Sequence, residues 1–331
     1  MMKHKRLKTA TALLLGAGMM AGLNAQDYVQ SEKITLETRD VNDQFGTAVC
    51  FEDNQLFVGS TGQKEDENGQ NPLEKAGAVF VYEKQADHLA QVQMLVASDR
   101  EEGDQLGNDV DVSGNYLVTG ASNHAKDQAG NNELTKAGAV YVFKKNSEGK
   151  WDEVQKLVAS DRAQNDLFGG SVAIEGDYLA VGAPGKDNSQ GAVYVFEKNS
   201  SNVWEETKIL TSMNSFYPTY GRDLDISGNR LIVGSPSQIY STTDPVYHYN
   251  FAGMAFIYER DDDGVWQEVY SASSSDVMEK DHFATSVAIS GDYALVGTPD
   301  KPTDKDGQNT LAAAGAPIKW QLVRGTKNHP R

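Results

Sequence analysis

The sequence predicts an all-β fold, a β-propeller of four-stranded antiparallel blades with five repeats visible. Three observations carry that expectation. A first element recurs around Gly46, Gly107, Gly169, Gly221 and Ala284, at spacings of 61, 62, 52 and 63 residues. Another recurs at Gly77, Gly138, Gly191, Gly253 and Gly315, at spacings of 61, 53, 62 and 62. Helical periodicity is missing from the body of the chain, while tight-turn signals fall at the same place in successive copies. Two separate elements in common register place the copies at about residues 40–100, 101–162, 163–212, 213–276 and 277–317.

Each copy offers four strands, and the third copy shows them most clearly. Phe168-Gly169-Gly170-Ser171-Val172-Ala173-Ile174 opens the first strand, Tyr178-Leu179-Ala180-Val181-Gly182-Ala183-Pro184 gives the second, and Ala192-Val193-Tyr194-Val195-Phe196 the third. That third run is apolar without a break, as in a strand covered on both faces. A fourth strand, such as Trp151-Asp152-Glu153-Val154-Gln155-Lys156-Leu157, alternates apolar and polar residues like a half-exposed outer strand. Ser113-Gly114-Asn115, Glu175-Gly176-Asp177, Ser227-Gly228-Asn229 and Ser290-Gly291-Asp292 are hairpin turns between the first and second strands. The third copy is shorter because it lacks residues between its second and third strands, which marks that stretch as a loop.

Both ends differ from the repeats. Residues 1–25 carry Lys3, Lys5, Arg6 and Lys8 with no acid, then an apolar run from Leu13 to Leu23 and Ala25. This is the pattern of a signal peptide cut near Ala25, and the run is shorter than the ~20 residues a spanning helix needs. Residues 28–38 precede the first Phe-Gly pair as the fourth strand of a preceding blade would, so they could close a five-bladed ring. Residues 318–331 hold four basic side chains and no acid, and Pro317-Ile318-Lys319-Trp320 stands where the repeat calls for Val-Tyr-Val-Phe. Two readings stay open, a real basic tail and an array cut short of a seven-bladed propeller, with truncation favoured. The resulting division is signal peptide 1–25, repeats 26–317 and tail 318–331.

Charge and composition exclude several function classes. The 47 acidic and 30 basic residues give −17 overall, against the basic stripe that nucleic-acid binding requires. Without residues 1–25 and 318–331 the repeats hold 47 acidic and 22 basic residues, or −25. A single cysteine, Cys50, excludes an intrachain disulfide framework and thiolate metal clusters, and it reads as a small buried apolar residue. No transmembrane segment is expected in the mature chain. The six histidines show no metal-binding spacing, and neither a nucleophile elbow nor a phosphate loop occurs.

Phe168-Gly169 followed by Gly182-Ala183-Pro184 resembles the FG-GAP repeat of integrin α-chain propellers and of secreted bacterial proteins. Phe45-Gly46 keeps the first half, and the second drifts to Gly59-Ser60-Thr61, Gly120-Ala121-Ser122, Gly234-Ser235-Pro236 and Gly297-Thr298-Pro299. The resemblance covers about residues 40–317 and implies ligand binding or adhesion at cell surfaces. The family's calcium loop, an acidic insertion between the first two strands, is not matched here, so neither metal nor cofactor is expected. The acidic segment Asp300-Lys301-Pro302-Thr303-Asp304-Lys305-Asp306-Gly307 has Pro302 at a ligand position and lacks the closing glutamate of a calcium loop.

Two sets of residues are candidates for chemistry. Phe216, Tyr217 and Tyr220 lead into the first strand of copy four, and Tyr240, Tyr247 and Tyr249 lie in its strand two–three loop. Aromatics bury large areas with few rotors, so they are ligand-binding candidates, with a small loop core as the rival reading. Asp109 and Asp111 in copy two, and Asp223 and Asp225 in copy four, are spaced by two and so share one strand face. Paired carboxylates could serve glycoside hydrolysis, or could line a channel or bind backbone amides. The favoured expectation is an exported, non-catalytic propeller that recognises an extracellular protein or glycan through its loop face. The alternative is a propeller glycoside hydrolase or lyase using the four aspartates.

Overall fold

In a computed structural model of the chain, the first-to-second strand turns are two-residue hairpins, each opening on a left-handed residue. Asp53, Gly114, Gly176, Gly228 and Gly291 have φ of 52°, 59°, 62°, 63° and 55°. Positive φ at the first turn position matches the right-handed twist of the flanking strands and suits glycine or a short polar residue. The structure describes residues 33–36, 40, 42–86, 88–212, 219–237, 240–241, 248–249, 251–275, 277–300 and 316–321. For 240–241, 248–249 and 316–321 only the backbone is described.

The chain divides into two compact units, Met1–Val158 and Ala159–Arg331. In the first unit, blade 1 is β1 (Phe45–Glu52), β2 (Gln55–Ser60), β3 (Ala78–Lys84) and β4 (Leu89–Leu95). Blade 2 is β5 (Val110–Ser113), β6 (Tyr116–Ala121), β7 (Ala139–Lys145) and β8 (Trp151–Leu157). The second unit opens with blade 3, β9 (Ser171–Glu175), β10 (Tyr178–Ala183), β11 (Ala192–Lys198) and β12 (Trp204–Thr211). Blade 4 follows with β13 (Leu224–Ser227) and β14 (Arg230–Ser235), a small ribbon β15 (Tyr240–Ser241) and β16 (His248–Tyr249), then β17 (Met254–Arg260) and β18 (Trp266–Ala272). Blade 5 contains β19 (Ser286–Ser290), β20 (Tyr293–Thr298) and β21 (Ala316–Gln321). The first four blades are four-stranded antiparallel sheets in simple sequential order, and blade 5 is three-stranded among the described residues. The fold is all-β, with sheets of the propeller-blade type.

Burial follows the sequence pattern. The first five residues of β3, β7 and β11 are all buried, while β8, β12 and β18 alternate or face solvent. Residues 184–191, between β10 and β11, form the short connection expected of the third copy. They contain a single helical turn in which Asp187 and Asn188 are left-handed.

The recurring glycines have a common cause, the close approach of successive blades. A Cβ on Gly59 would stand 2.1 Å from the carbonyl oxygen of Gly107, and one on Gly182 would stand 2.1 Å from that of Gly221. At Gly234 the corresponding neighbour is the Ala284 oxygen, at 2.3 Å. The third-strand glycines behave alike, with Gly77 against Leu106 and Gly191 against Tyr220, each pair forming an isolated parallel bridge. Side chains at these positions would push successive blades apart. Within each unit the two halves of the repeat motif therefore recur together because a blade's second element packs on the next blade's first.

The ends depart from expectation in part. The signal-peptide segment and residues 322–331 lie outside the described residues. Of residues 28–38 only 33–36 are described, and they form no strand. Instead Ile34 and Leu36 pack on Val58, Phe80 and Tyr82 of blade 1. At the other end, β21 pairs with β20 in unbroken register from Ala316 opposite Thr298 to Gln321 opposite Tyr293. The sheet thus continues four residues past 317 into the expected tail, because ladder pairing uses the backbone and does not require the repeat's side chains.

Candidate functional site

The inner-strand aspartates of blade 4 are structural. Asp223 Oδ1 accepts from the Leu224 amide at 3.0 Å and Oδ2 from the Val287 amide at 2.7 Å. Asp225 repeats this with Ile226 at 2.9 Å and Ile289 at 2.8 Å. Each carboxylate thus ties β13 to the first strand of the next blade, where no ladder joins the two. Their side chains are buried, and both oxygens of each already hold an amide, which removes this pair from the hydrolase reading. In blade 2, Asp109 accepts from the Val110 amide at 2.9 Å. Asp111 is fully buried and takes the Cys50 thiol at 3.6 Å. Cys50 is therefore a buried donor as well as a packing residue.

The aromatic set separates into parts. Tyr220 is fully buried, edge-on to Phe256, and its hydroxyl bonds to that of Tyr258 at 2.7 Å. Burial holds the Tyr258 phenol up at about 12 and Tyr220 well above its ordinary value. Tyr220 is a core residue and leaves the ligand-binding set. Tyr240 and Tyr249 lie directly opposite one another on the β15–β16 ribbon. Phe216, Tyr217 and Tyr247 lie outside the described residues.

Two buried polar clusters, which the sequence reading missed, are the most organised polar features. In the first unit Asp99 accepts from the Tyr141 hydroxyl at 2.6 Å and from Lys156 Nζ at 2.8 Å. Asp104 holds the Glu101 amide at 2.7 Å and faces His124 Nδ1 at 3.0 Å. Burial alone would push the Asp99 carboxyl up, but the bonds from Lys156 and Tyr141 outweigh it and hold the group below the usual carboxylate range. In the second unit Asp161 accepts from Tyr194 at 2.7 Å, and Asp166 holds the Ala163 amide at 2.7 Å. Lys186 Nζ is 3.2 Å from a carboxylate oxygen of each. Burial lowers Lys186, yet its bonds to Asp166 and Asp161 prevail and raise it, whereas for Asp166 burial wins and raises the carboxyl. Burial, then the adjoining carboxylate, raises Tyr141 and Tyr194 far above the ordinary phenol value.

These clusters anchor the linkers between blades. Val96-Ala97-Ser98-Asp99-Arg100 and Val158-Ala159-Ser160-Asp161-Arg162 are identical pentapeptides 62 residues apart, the signal that could have revealed them. Ser98 gives its amide and hydroxyl to Glu153 of β8 at 2.8 and 2.7 Å, and Ser160 does the same to Glu206 of β12 at 3.0 and 2.6 Å.

The strand two–three loops of blades 1 and 2 also share a design. Asp66 Oδ1 accepts from the amides of Asn68 and Gln70, and Asp127 Oδ1 from those of Ala129 and Asn131. The second carboxylate oxygen takes the amide side chain of Asn71 or Asn132. Asp, Gly and Asn recur at equal spacing in Asp66-Gly69-Asn71, Asp127-Gly130-Asn132 and Asp304-Gly307-Asn309, a second pattern the sequence reading missed. In the two described copies the acid organises its own loop. Among the described residues no group of three or more His, Cys, Asp or Glu side chains is placed to hold a metal ion. Beside the first of these loops a groove of about 510 Å³ opens along the end of β4 and the start of β8. Its rim carboxylates Asp66 and Glu153 already hold protein donors.

The family model of the FG-GAP repeat matches residues 89–143, 151–196 and 266–314. Each match begins on a fourth strand, β4, β8 or β18, so the sequence repeat is offset by one strand from the structural blade. A comparison with curated proteins found no match. No helix among the described residues is long and apolar enough to cross a membrane. With three repeat matches laid over antiparallel blade sheets, the chain is an FG-GAP repeat protein.

Proposed function

We propose that this protein is an exported, non-catalytic binding module that recognises an extracellular protein or glycan through its strand two–three loops. The observation that carries this reading is the β15–β16 ribbon, a two-stranded insertion in blade 4 that sets Tyr240 opposite Tyr249. A rigid sheet bearing an inserted aromatic ribbon is a common way to build a recognition surface. The basic, apolar leader of residues 1–25 supports export, and the acidic repeat body disfavours a nucleic-acid partner. The engagement of Asp223 and Asp225 by backbone amides argues against the glycoside hydrolase or lyase alternative.

The test presents the full chain to a glycan array and to surface proteins, with a hydrolysis assay on every glycan bound. Binding without turnover, weakened when Tyr217, Tyr240 and Tyr249 are replaced by alanine, is the expected result. Turnover, or binding indifferent to the triple substitution, overturns the proposal.

A further inference from the structure

His124 is completely buried in the first unit, and its surroundings fix its tautomer. Lys156 Nζ approaches its Nε2 at 2.8 Å and also bonds to Asp99 Oδ2 and the Asp127 carbonyl, each at 2.8 Å. An ammonium has three protons to donate and no lone pair, so all three are engaged and Nε2 must be the acceptor. The single ring proton then sits on Nδ1 and is donated to Asp104, at 3.0 Å. A second ring proton enters only at Nε2, where it points straight at the ammonium.

The groups facing the ring come from three segments. Asp99 and Asp104 lie on the linker after β4, Tyr141 on β7 packs edge-on at 6.1 Å, and Lys156 comes from β8. Asp99 Oδ2 is 3.7 Å from Nε2, the nearest carboxylate to the incoming proton. Protonation therefore favours an exchange in which Asp99 takes the imidazolium and releases Lys156. Lys156 is also the tie to the Asp127 carbonyl, at the base of the blade 2 strand two–three loop.

We propose that His124 is an acid-operated latch whose protonation expels Lys156 and loosens the loop at residues 127–134. The idea concerns regulation of the recognition face proposed above, but the loop's release is measured without any ligand, so the two proposals fail separately. Blade 1 supplies the control within the same unit. It has Gln63 at the register of His124, and its loop has the same backbone bonds, Leu73 to Lys64 matching Leu134 to Ala125.

Hydrogen exchange on the full chain, corrected for intrinsic rate, tests the latch by comparing about pH 7.5 with about pH 5. Protection of residues 127–134 is expected to fall about tenfold while residues 66–73 stay unchanged, and His124→Gln is expected to abolish the difference. Unchanged protection in the wild-type chain, an equal loss in both loops, or persistence of the effect in His124→Gln overturns the proposal. Nitrogen-15 spectra of the histidine rings in the wild-type chain give a check that does not depend on the variant folding. They must show His124 protonated at Nδ1 alone near neutral pH, and an Nε2–H tautomer overturns the latch.

Discussion

The polar clusters of blades 2 and 3 solve one problem with different parts. Both anchor an inter-blade linker through a pair of aspartates five residues apart, Asp99 and Asp104 or Asp161 and Asp166. In both, a third-strand tyrosine binds the first aspartate and a backbone amide caps the second. They differ in the cation. Blade 2 takes it from the outer strand as Lys156 and puts His124 after β6, whereas blade 3 places Lys186 at the register of His124 and Ile209 at that of Lys156. The difference teaches that the tyrosine and the aspartates have set positions, while positive charge can come from any element that reaches the carboxylates. It also leaves the second cluster with less redundancy, since among the described residues Lys186 alone forms ion pairs with Asp161 and Asp166.

Removing the lysines tests that asymmetry most strongly. Lys186→Met leaves Asp166, whose side chain is 2% exposed, with only an amide, and a broken buried pair typically costs about 3–5 kcal/mol. Lys156→Met leaves Asp104 with His124 and leaves Asp99, 35% exposed, with Tyr141 and water, for an expected loss of about 1–3 kcal/mol. Urea unfolding of each variant in the full chain ranks them. Equal losses, or the reverse order, would remove the redundancy argument.

The tyrosines test what the clusters share. Their hydroxyl-to-carboxylate distances, 2.6 and 2.7 Å, are alike, so Tyr141→Phe and Tyr194→Phe should cost nearly the same, about 1.5–3 kcal/mol each. Blade 4 has already made this change. Phe256 stands at the tyrosine's place and Met213 at that of the first aspartate, so the two partners are absent together. Phe256→Tyr is therefore expected to destabilise, by burying a hydroxyl whose aspartate is missing. A lower melting temperature for that variant is the measurement, and unchanged stability would count against the pairing.

This pairing also shows where sequence reading succeeded and stopped. Strand order, the two-residue turns and the buried third strand were legible because each depends on local pattern, as in Ser227-Gly228-Asn229 or the run from Ala192 to Phe196. The paired recurrence of Gly182 and Gly221 was visible, but its cause, a contact between successive blades, was not. Asp223 and Asp225 were correctly placed on one strand face, yet nothing local could show the Val287 and Ile289 amides 64 residues away. Tyr220 looked like a recognition aromatic because its partner Tyr258 is 38 residues distant and on another strand. The identical linker pentapeptides were legible as a repeat, but their role was not, because Tyr141 and Tyr194 lie 42 and 33 residues from the aspartates they bind.

Acid titration gives the smallest and sharpest contrast, because the two clusters move in opposite directions. Asp99 is held below its ordinary value chiefly by the bonds from Lys156 and Tyr141 overcoming burial. Its contribution is fully present above the unfolded-state pKa of about 3.9 and is lost as pH falls through the lower, folded value. Asp166 is raised by burial, so its ionised form opposes folding above that range, and protonation on acidification relieves the opposition. The expected result is that the stability gap between wild type and Asp99→Asn narrows as pH falls below about 4, while wild type gains relative to Asp166→Asn as pH falls towards about 4 from above. Melting temperatures of the two variants against wild type across both ranges measure both signs. If the two gaps changed in the same direction, bonding would not be what decides Asp99, or burial would not be what decides Asp166. Opposite signs would show that hydrogen bonds decide the acid response of Asp99, the first aspartate of its pair, and burial that of Asp166, the second of its own.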